Sequence, residues 1–238
     1  MVCVTFSEAR FRRSETELLA RQQFRTLLLA MAAALALTAA ADATPITSLF
    51  NTGVGASGVP AANLAPEAHY ALTSVPATAA TAARVATSAN GFPIPPWLAD
   101  DAVSAWIGPD SGGKLDLNGP TGNYTYETTF DLSGLAASTA SISGQWAVDN
   151  TGVDILLNGV STGQTAAGFQ SFYAFNLATG FNAGLNTLDF IVHNDSGPTG
   201  LRVEMVGTAD STPVLEPASL ALLGSGLSAV ALLRRKRA

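Results

Sequence analysis

The chain has 238 residues, 47% hydrophobic and 13% charged, with 18 acidic and 12 basic side chains for a net charge of −6. Nine of the cations sit at the ends: Arg10, Arg12, Arg13, Arg21 and Arg25 before the first apolar run, and Arg234, Arg235, Lys236 and Arg237 after the last. Between them Arg84, Lys114 and Arg202 face fourteen acids from Glu67 to Glu216, a balance that repels phosphate backbones and excludes a nucleic-acid partner.

The first apolar run, "LLLAMAAALALTAAA", covers Leu27–Ala41 and follows Arg21 and Arg25. Ala41-Asp42-Ala43 then offers small residues at the two positions a signal peptidase reads. This three-part pattern predicts a secretory signal helix cut after Ala43, with Ala41 as a second site. A buried Ala/Leu helix is the competing reading. The 20 residues ahead of Arg21 fit either a long leader or a misassigned start. The one cysteine, Cys3, falls in this leader, so the mature body can form neither a disulfide nor a thiolate metal site.

After Ala43 the composition turns to Gly, Ser, Thr, Ala, Asn and Pro with spaced aromatics. Residues Ala77–Ala89 read equally as a helical turn or as a strand and loop. Phe92–Trp97 carries three prolines and cannot be regular helix. From Tyr124 the period is two. Tyr124, Tyr126, Thr128 and Phe130 share one face against Thr125, Glu127, Thr129 and Asp131. Ile142, Gly144, Trp146 and Val148 form the next face. "VDILLNGV" ends in Asn158-Gly159, a strong hairpin signal. Phe169, Ser171, Tyr173, Phe175 and Leu177 share a face. So do Leu188, Phe190 and Val192 against Thr187, Asp189 and Ile191, and Leu201, Val203 and Met205 against Arg202, Glu204 and Val206. Such strands with Gly/Asn/Asp/Ser turns predict an all-β sandwich. The expected version is a jelly roll of galactose-binding type.

The chemistry-bearing residues are sparse. His69 and His193 are the only imidazole bases, and no Gly-x-Ser-x-Gly elbow accompanies them. His193 stands at a strand end before the turn Asn194–Gly197. No catalytic residue is assigned. Carboxylate pairs for glycoside hydrolysis have no spacing rule, and the acids here fall mostly in turns or on outward strand positions. Asp100-Asp101 is read as a helix or turn start and Asp131 as a turn start. Zinc spacing is absent. No cofactor is assigned. Calcium, which takes carboxylate, amide and carbonyl oxygens, has candidates in Asp149, Asn194 and Asp195, although turn formation accounts for the same residues. For sugar stacking the candidate aromatics are Trp97, Trp106, Trp146, Tyr124 and Tyr126. Trp146 with Asp149 and Asn150 is the candidate ligand-binding group, and a core role for Trp146 is the alternative.

The last apolar run, Ala218–Leu233, has 16 uncharged residues and as a helix would span about 24 Å, short of a ~30 Å hydrocarbon layer. Snorkelling by Arg234 and Lys236 extends its reach. The basic tail Arg234, Arg235, Lys236 and Arg237 predicts the cytoplasmic end of a transmembrane helix, an orientation that agrees with a cleaved leader.

Glu216-Pro217, an apolar segment with Gly224 and Gly226, and the terminal Arg/Lys cluster together resemble the PEP-CTERM sorting signal. That resemblance implies export, processing by an exosortase at the Pro-Glu-Pro motif, and association with exopolysaccharide and biofilm. The motif here is Leu215-Glu216-Pro217, with leucine in place of the first proline. The body also resembles an extracellular domain that recurs ahead of this signal, through "AWIGP", "YTYETTFDLSGL", "SGQWAVDNTGVDILLNG" and "GLNTLDFIVHN"; this implies a β-sandwich. The expected organisation is a leader over 1–43, an extracellular domain over 44–210 and a sorting segment over 211–238. The expected partners are signal peptidase and the export machinery, an exosortase-type protease, the inner membrane and exopolysaccharide. The expected function is non-enzymatic, at the cell surface or in the extracellular matrix. A secreted glycan-active hydrolase and a plain single-pass surface protein are the alternatives.

Overall fold

The computed structural model describes residues 18, 21–23, 43–110, 117–212, 224 and 226–227. The chain divides into two compact units, residues 1–40 and 41–238. In the first, Leu18 and Arg21–Gln23 are helical. Leu27–Ala41 lies outside the described residues. Of the last apolar run Gly224, Gly226 and Leu227 are described, and they are helical. No helix among the described residues is long and apolar enough to cross a membrane.

Residues 43–212 of the second unit carry strands and two short 3-10 turns. Its strands are β1 (Ala43–Pro45), β2 (Ala71–Ser74), β3 (Ala83–Ala86), β4 (Trp106–Pro109), β5 (Gly122–Asp131), β6 (Ser141–Asp149), β7 (Thr151–Leu157), β8 (Val160–Ser161), β9 (Tyr173–Leu177), β10 (Leu185–Asn194) and β11 (Gly200–Asp210). They form two antiparallel sheets. One has the order β3-β4-β11-β6-β9, with β1 added to β11; the other runs β2-β5-β10-β7-β8. The ambiguous stretch 77–89 resolves into β3 and a short 3-10 turn, Ser88–Asn90.

Alternation decides which side chains meet between the sheets. Tyr124, Tyr126 and Phe130 of β5, and Leu188, Phe190 and Val192 of β10, are buried against Ile142, Trp146 and Val148 of β6, and Leu201, Val203 and Met205 of β11. Phe190 is central, with ring centroids 5.7 Å from Trp146, 5.9 Å from Phe175 and 6.1 Å from Tyr70. Aromatic pairs at such spacing add about 0.5–1.5 kcal/mol beyond the area they bury. Gly152 of β7 faces the Trp146 ring, and a Cβ there would collide with it. The hairpin between β7 and β8 turns on Asn158 and Gly159, whose φ values are 53° and 77°, as a type I′ turn requires. Asn158 donates to Asn186 Oδ1 and Gly180 O at 2.9 Å, and Asn186 donates to Asn182 O and Gly184 O. These amides join the hairpin turn to the loop before β10.

The six-stranded sheet is covered on both faces. Its outer face carries a second apolar cluster of Ala86, Ile94, Trp97, Trp106, Leu117 and Ala147, with Phe169 and Phe172 packed against it. Trp97 and Trp106 lie 4.4 Å apart, and Gly200 of β11 lies under the Trp97 ring. This cover corrects one expectation. Phe169 and Ser171 do not continue the inner face of β9, which begins at Tyr173; Phe169 joins the outer cluster, and its carbonyl accepts from Leu98 N. Arg202, on the strand face opposite Leu201, Val203 and Met205, is 1% exposed. Its guanidinium donates to Ser104 Oγ, Ser104 O and Ala99 O, pairs with Asp101 and Glu204, and lies over the Phe172 ring at 5.2 Å. Asp101 starts a turn and not a helix, its carboxylate accepting from Val103 N and Ser104 N. Asp131 starts a turn as expected, accepting from Ser133 N and Oγ.

Removing one partner of a buried ion pair strands the others and costs about 3–5 kcal/mol. Arg202→Met is therefore expected to lower unfolding free energy by about 3 kcal/mol and to red-shift tryptophan emission as the cover over Trp97 loosens. Denaturant melts read by fluorescence check this; an unchanged midpoint would mean the guanidinium holds nothing in place.

Candidate functional site at the loop pole

One pole of the sandwich collects the β6–β7 turn, the end of β10 and the loop from Leu117 to Gly122. Strand pairing brings them there: Asp149 stands opposite Gly200, and Asn194 opposite Gly122. Backbone and amide bonds lock the turns together. Asn150 N donates to His193 O at 3.0 Å, and Asp195 N donates to Asn150 Oδ1 at 2.7 Å. Thr121 Oγ1 donates to Asp195 O, Asn194 Nδ2 to Gly119 O, and Thr199 Oγ1 to Asp149 O. The sequence-predicted residues Asp149, Asn150, His193, Asn194 and Asp195 thus meet at one end of the molecule.

Trp146 does not join them. It is fully buried between the sheets, because positions three apart on a strand point to opposite faces. Asp149 looks outward, under the cover of the second cluster, and its aromatic partner is Trp97, whose Nε1 donates to Asp149 Oδ2 at 2.8 Å. Trp97, Trp106, Tyr124 and Tyr126 are buried as well, and Phe92 is the one exposed aromatic among the described residues. No candidate tryptophan or tyrosine offers a stacking face.

The calcium candidates occupy different environments. Asp149 is 5% exposed and Asn194 is fully buried, while the Asp195 side chain is 70% exposed. Asp149 Oδ1 and Asn194 Oδ1 are buried without a hydrogen-bond donor. No group of three or more His, Cys, Asp or Glu among the described residues is placed to hold a metal. Burial pushes the Asp149 carboxyl up to about 6; the Trp97 N–H opposes the rise, and the Asp195 charge adds to it.

The solvent side of the pole is polar. Asn118, Thr121, Asn123 and Asp195 are exposed and His193 is half-buried. His193 Nδ1 lies 2.7 Å from Asn123 Oδ1, and its Nε2 lies 3.5 Å from Asp195 Oδ1. Amide, hydroxyl, imidazole and carboxylate groups side by side can exchange hydrogen bonds with a hydroxylated ligand. Asn123 and Thr121 were not singled out in the sequence, because only the β5–β10 register pairs Asn123 with His193. His69 lies elsewhere, stacked on Phe50 at 3.7 Å with Nε2 3.2 Å from Gly55 O. Glu67 beside it accepts from Gly53 N and His69 N, and burial raises its carboxyl above the ordinary range. This is a clasp of the turn around Gly53.

The sorting residues Leu215, Glu216 and Pro217, the basic tail Arg234, Arg235, Lys236 and Arg237, and Ala41 lie outside the described residues. Ala43 opens β1 and pairs with Asp210.

A carboxyl raised to about 6 when folded, against an ordinary value of 3.8, binds its proton more tightly in the native state. Its stabilising contribution is complete below the ordinary value and is lost as pH rises through about 6. Asp149→Asn should remove up to about 3 kcal/mol of that pH dependence. Thermal melts from pH 4 to 7 with chelator present check this: the wild-type slope should exceed the variant's, and parallel profiles would show that Asp149 titrates normally.

No protein-family model and no curated protein matches the sequence. Among solved structures, the chain is similar to the CBM36-1 domain of a multidomain xylanase from the hindgut metagenome of Trinervitermes trinervoides, at 15% identity and a TM-score of 0.29, over 49% of this chain and 86% of that one. It is also similar to CBM35 from Paenibacillus barcinonensis, at 15% identity and a TM-score of 0.31, over 52% of this chain and 87% of that one.

Proposed function

We propose that this chain is an exported, non-enzymatic surface or matrix protein of PEP-CTERM type. Its body is a jelly roll of galactose-binding type, a reading supported by two five-stranded paths with non-sequential neighbours. The Ala218–Leu233 segment and its basic tail hold it in the inner membrane, and an exosortase-type protease processes it at Leu215-Glu216-Pro217. At the surface it touches exopolysaccharide through hydrogen bonds from the polar loop pole.

The observation that carries this reading is the partition of charge. Cations cluster beside both apolar ends, as membrane targeting demands. In the body, the described arginines are both consumed by carboxylates: Arg84 pairs with Asp110 at 2.6 Å, and Arg202 with Asp101 and Glu204. Among the described residues of the body, the charged side chains left exposed are the acids Asp100, Asp101, Asp131 and Asp195, which suits a neutral polysaccharide better than a polyanion. Asp189 and Glu127 stand directly opposite on β10 and β5, and burial, with the Glu127 charge adding to it, raises the Asp189 carboxyl above its ordinary range.

Terminal masses of the mature protein, from cells with and without the sorting protease, test the reading. A mature start at Thr44, or at Asp42 if Ala41 is the site, and loss of the Arg234–Arg237 tail are expected. Glu216→Ala should accumulate the membrane-bound form with its tail intact. A full-length chain in the cytosol would end the export reading, and a tail kept in the final surface product would leave a plain membrane anchor.

A further inference from the structure

Phe92 stands in solvent, 69% exposed, while Pro93, Ile94 and Trp97 after it are buried. Ile94 and Trp97 root the segment in the outer apolar cluster. Successive turns fix the chain on either side of Phe92. Asn90 N donates to Thr87 O, Gly91 N to Ser88 O, Ile94 N to Gly91 O and Trp97 N to Pro93 O, all at 2.8–3.0 Å. Thr87 N is held in turn by Asn63 Oδ1. Gly91 turns with φ 75°, a conformation that costs glycine least. Asn90 Nδ2 reaches Phe92 O at 3.4 Å, and Pro93 restricts the backbone of Phe92 from the other side. A lone surface hydrophobe is ordinary. One whose backbone is already fixed gives up little entropy when its ring is covered.

Pro95 and Pro96 are exposed in the same segment, and so are Ser88 and Asp100. Asp100 Oδ2 accepts from Ser88 N at 2.8 Å and from Ser88 Oγ at 2.6 Å, which ties a carboxylate and a hydroxyl to the Phe92 turn. A pyranose ring has the matching form. Its C–H face is attracted by an aromatic face, and its hydroxyl edge exchanges hydrogen bonds with such polar groups. Other occupants fit less well. One ring offers at most about 150–250 Å², against the ~800 Å² per partner of a stable protein interface. The Asp100 charge repels anionic lipid headgroups. Trp97 also connects the turn to the loop pole, since its indole N–H donates to Asp149.

We infer that the Phe92 turn is a stacking site for a neutral polysaccharide of β-linked pyranoses, whose equatorial bonds leave a flat C–H face for the ring. The inference rests on the exopolysaccharide reading above and supplies the stacking face that the loop pole lacks.

The full-length chain, in a detergent without a sugar headgroup, tests this by titration with cellohexaose and xylohexaose, with saturation transfer observed from aromatic protons to the sugar. Binding is expected, with transfer concentrated on the C–H protons of one ring face. Phe92→Ala and Phe92→Leu should each weaken it about ten-fold, and Phe92→Tyr should keep it. All three should melt like wild type, as exposed positions do. Equal binding by Phe92→Leu would mean that no ring stacks there and would overturn the site. Binding kept by Phe92→Ala but lost in Asn123→Ala would overturn it too, placing the contact at the loop pole. Self-association in sedimentation that Phe92→Ala abolishes would assign the ring to a protein contact and overturn the sugar site. Failure of wild type to bind either oligosaccharide would also overturn it. Failure to bind polysaccharide extracted from the producing cells would instead overturn the exopolysaccharide reading itself.

Discussion

The structure depends on the burial of Arg202. β11 lies at the middle of the six-stranded sheet and is covered on both faces, one by the opposing sheet and one by the segment carrying Trp97, Ala99 and Ser104. A cation in that position is tolerable because five partners meet it: a hydroxyl, two carbonyls and two carboxylates. The same contacts pin the covering segment to the sheet. Trp97 is thereby held over Gly200, where its N–H reaches Asp149. One ionic knot on the outer face thus organises a second core, and that core places the carboxylate nearest the loop pole.

The sandwich has two unlike ends. At one, β1, the end of β11 and the turn at 134–139 bring residues 43 and 210–212 side by side. At the other, the turns at 149–151 and 194–199 lock to the loop at 117–121. The antiparallel run of β11 from Gly200 to Asp210 separates the two by ten residue steps, or about 33 Å at a strand's rise. The polar loops therefore lie at the end of the domain far from Asp210.

The loop pole can hydrogen-bond but cannot stack. Its aromatic neighbours are committed to the two cores, and its amides are largely spent on joining turns. Contacts with a hydroxylated polymer through such a surface are individually modest, about 0.5–1.5 kcal/mol each, and gain strength through repetition along a polymer.

Alternation and turn chemistry are local, so the residues alone determined the class of the body, the inner faces of β5, β6, β10 and β11, and the Asn158-Gly159 turn. What covers the outside of a sheet depends on contacts between residues about a hundred positions apart, such as Arg202 with Ala99 and Ser104. No period-two pattern contains that, and so nothing in the sequence marked Arg202 as buried. The same limit misplaced the aromatic partner of Asp149: Trp146 is near in the chain but on the opposite face, whereas Trp97 arrives from 52 residues away. Tertiary structure alone decided that the Asp149 and Asn194 turns share a pole, that Asn123 meets His193, and that Asp210 and Thr212 are held by a turn more than seventy residues earlier. Register and strand order bring such residues together, and neither is written in any short stretch of sequence.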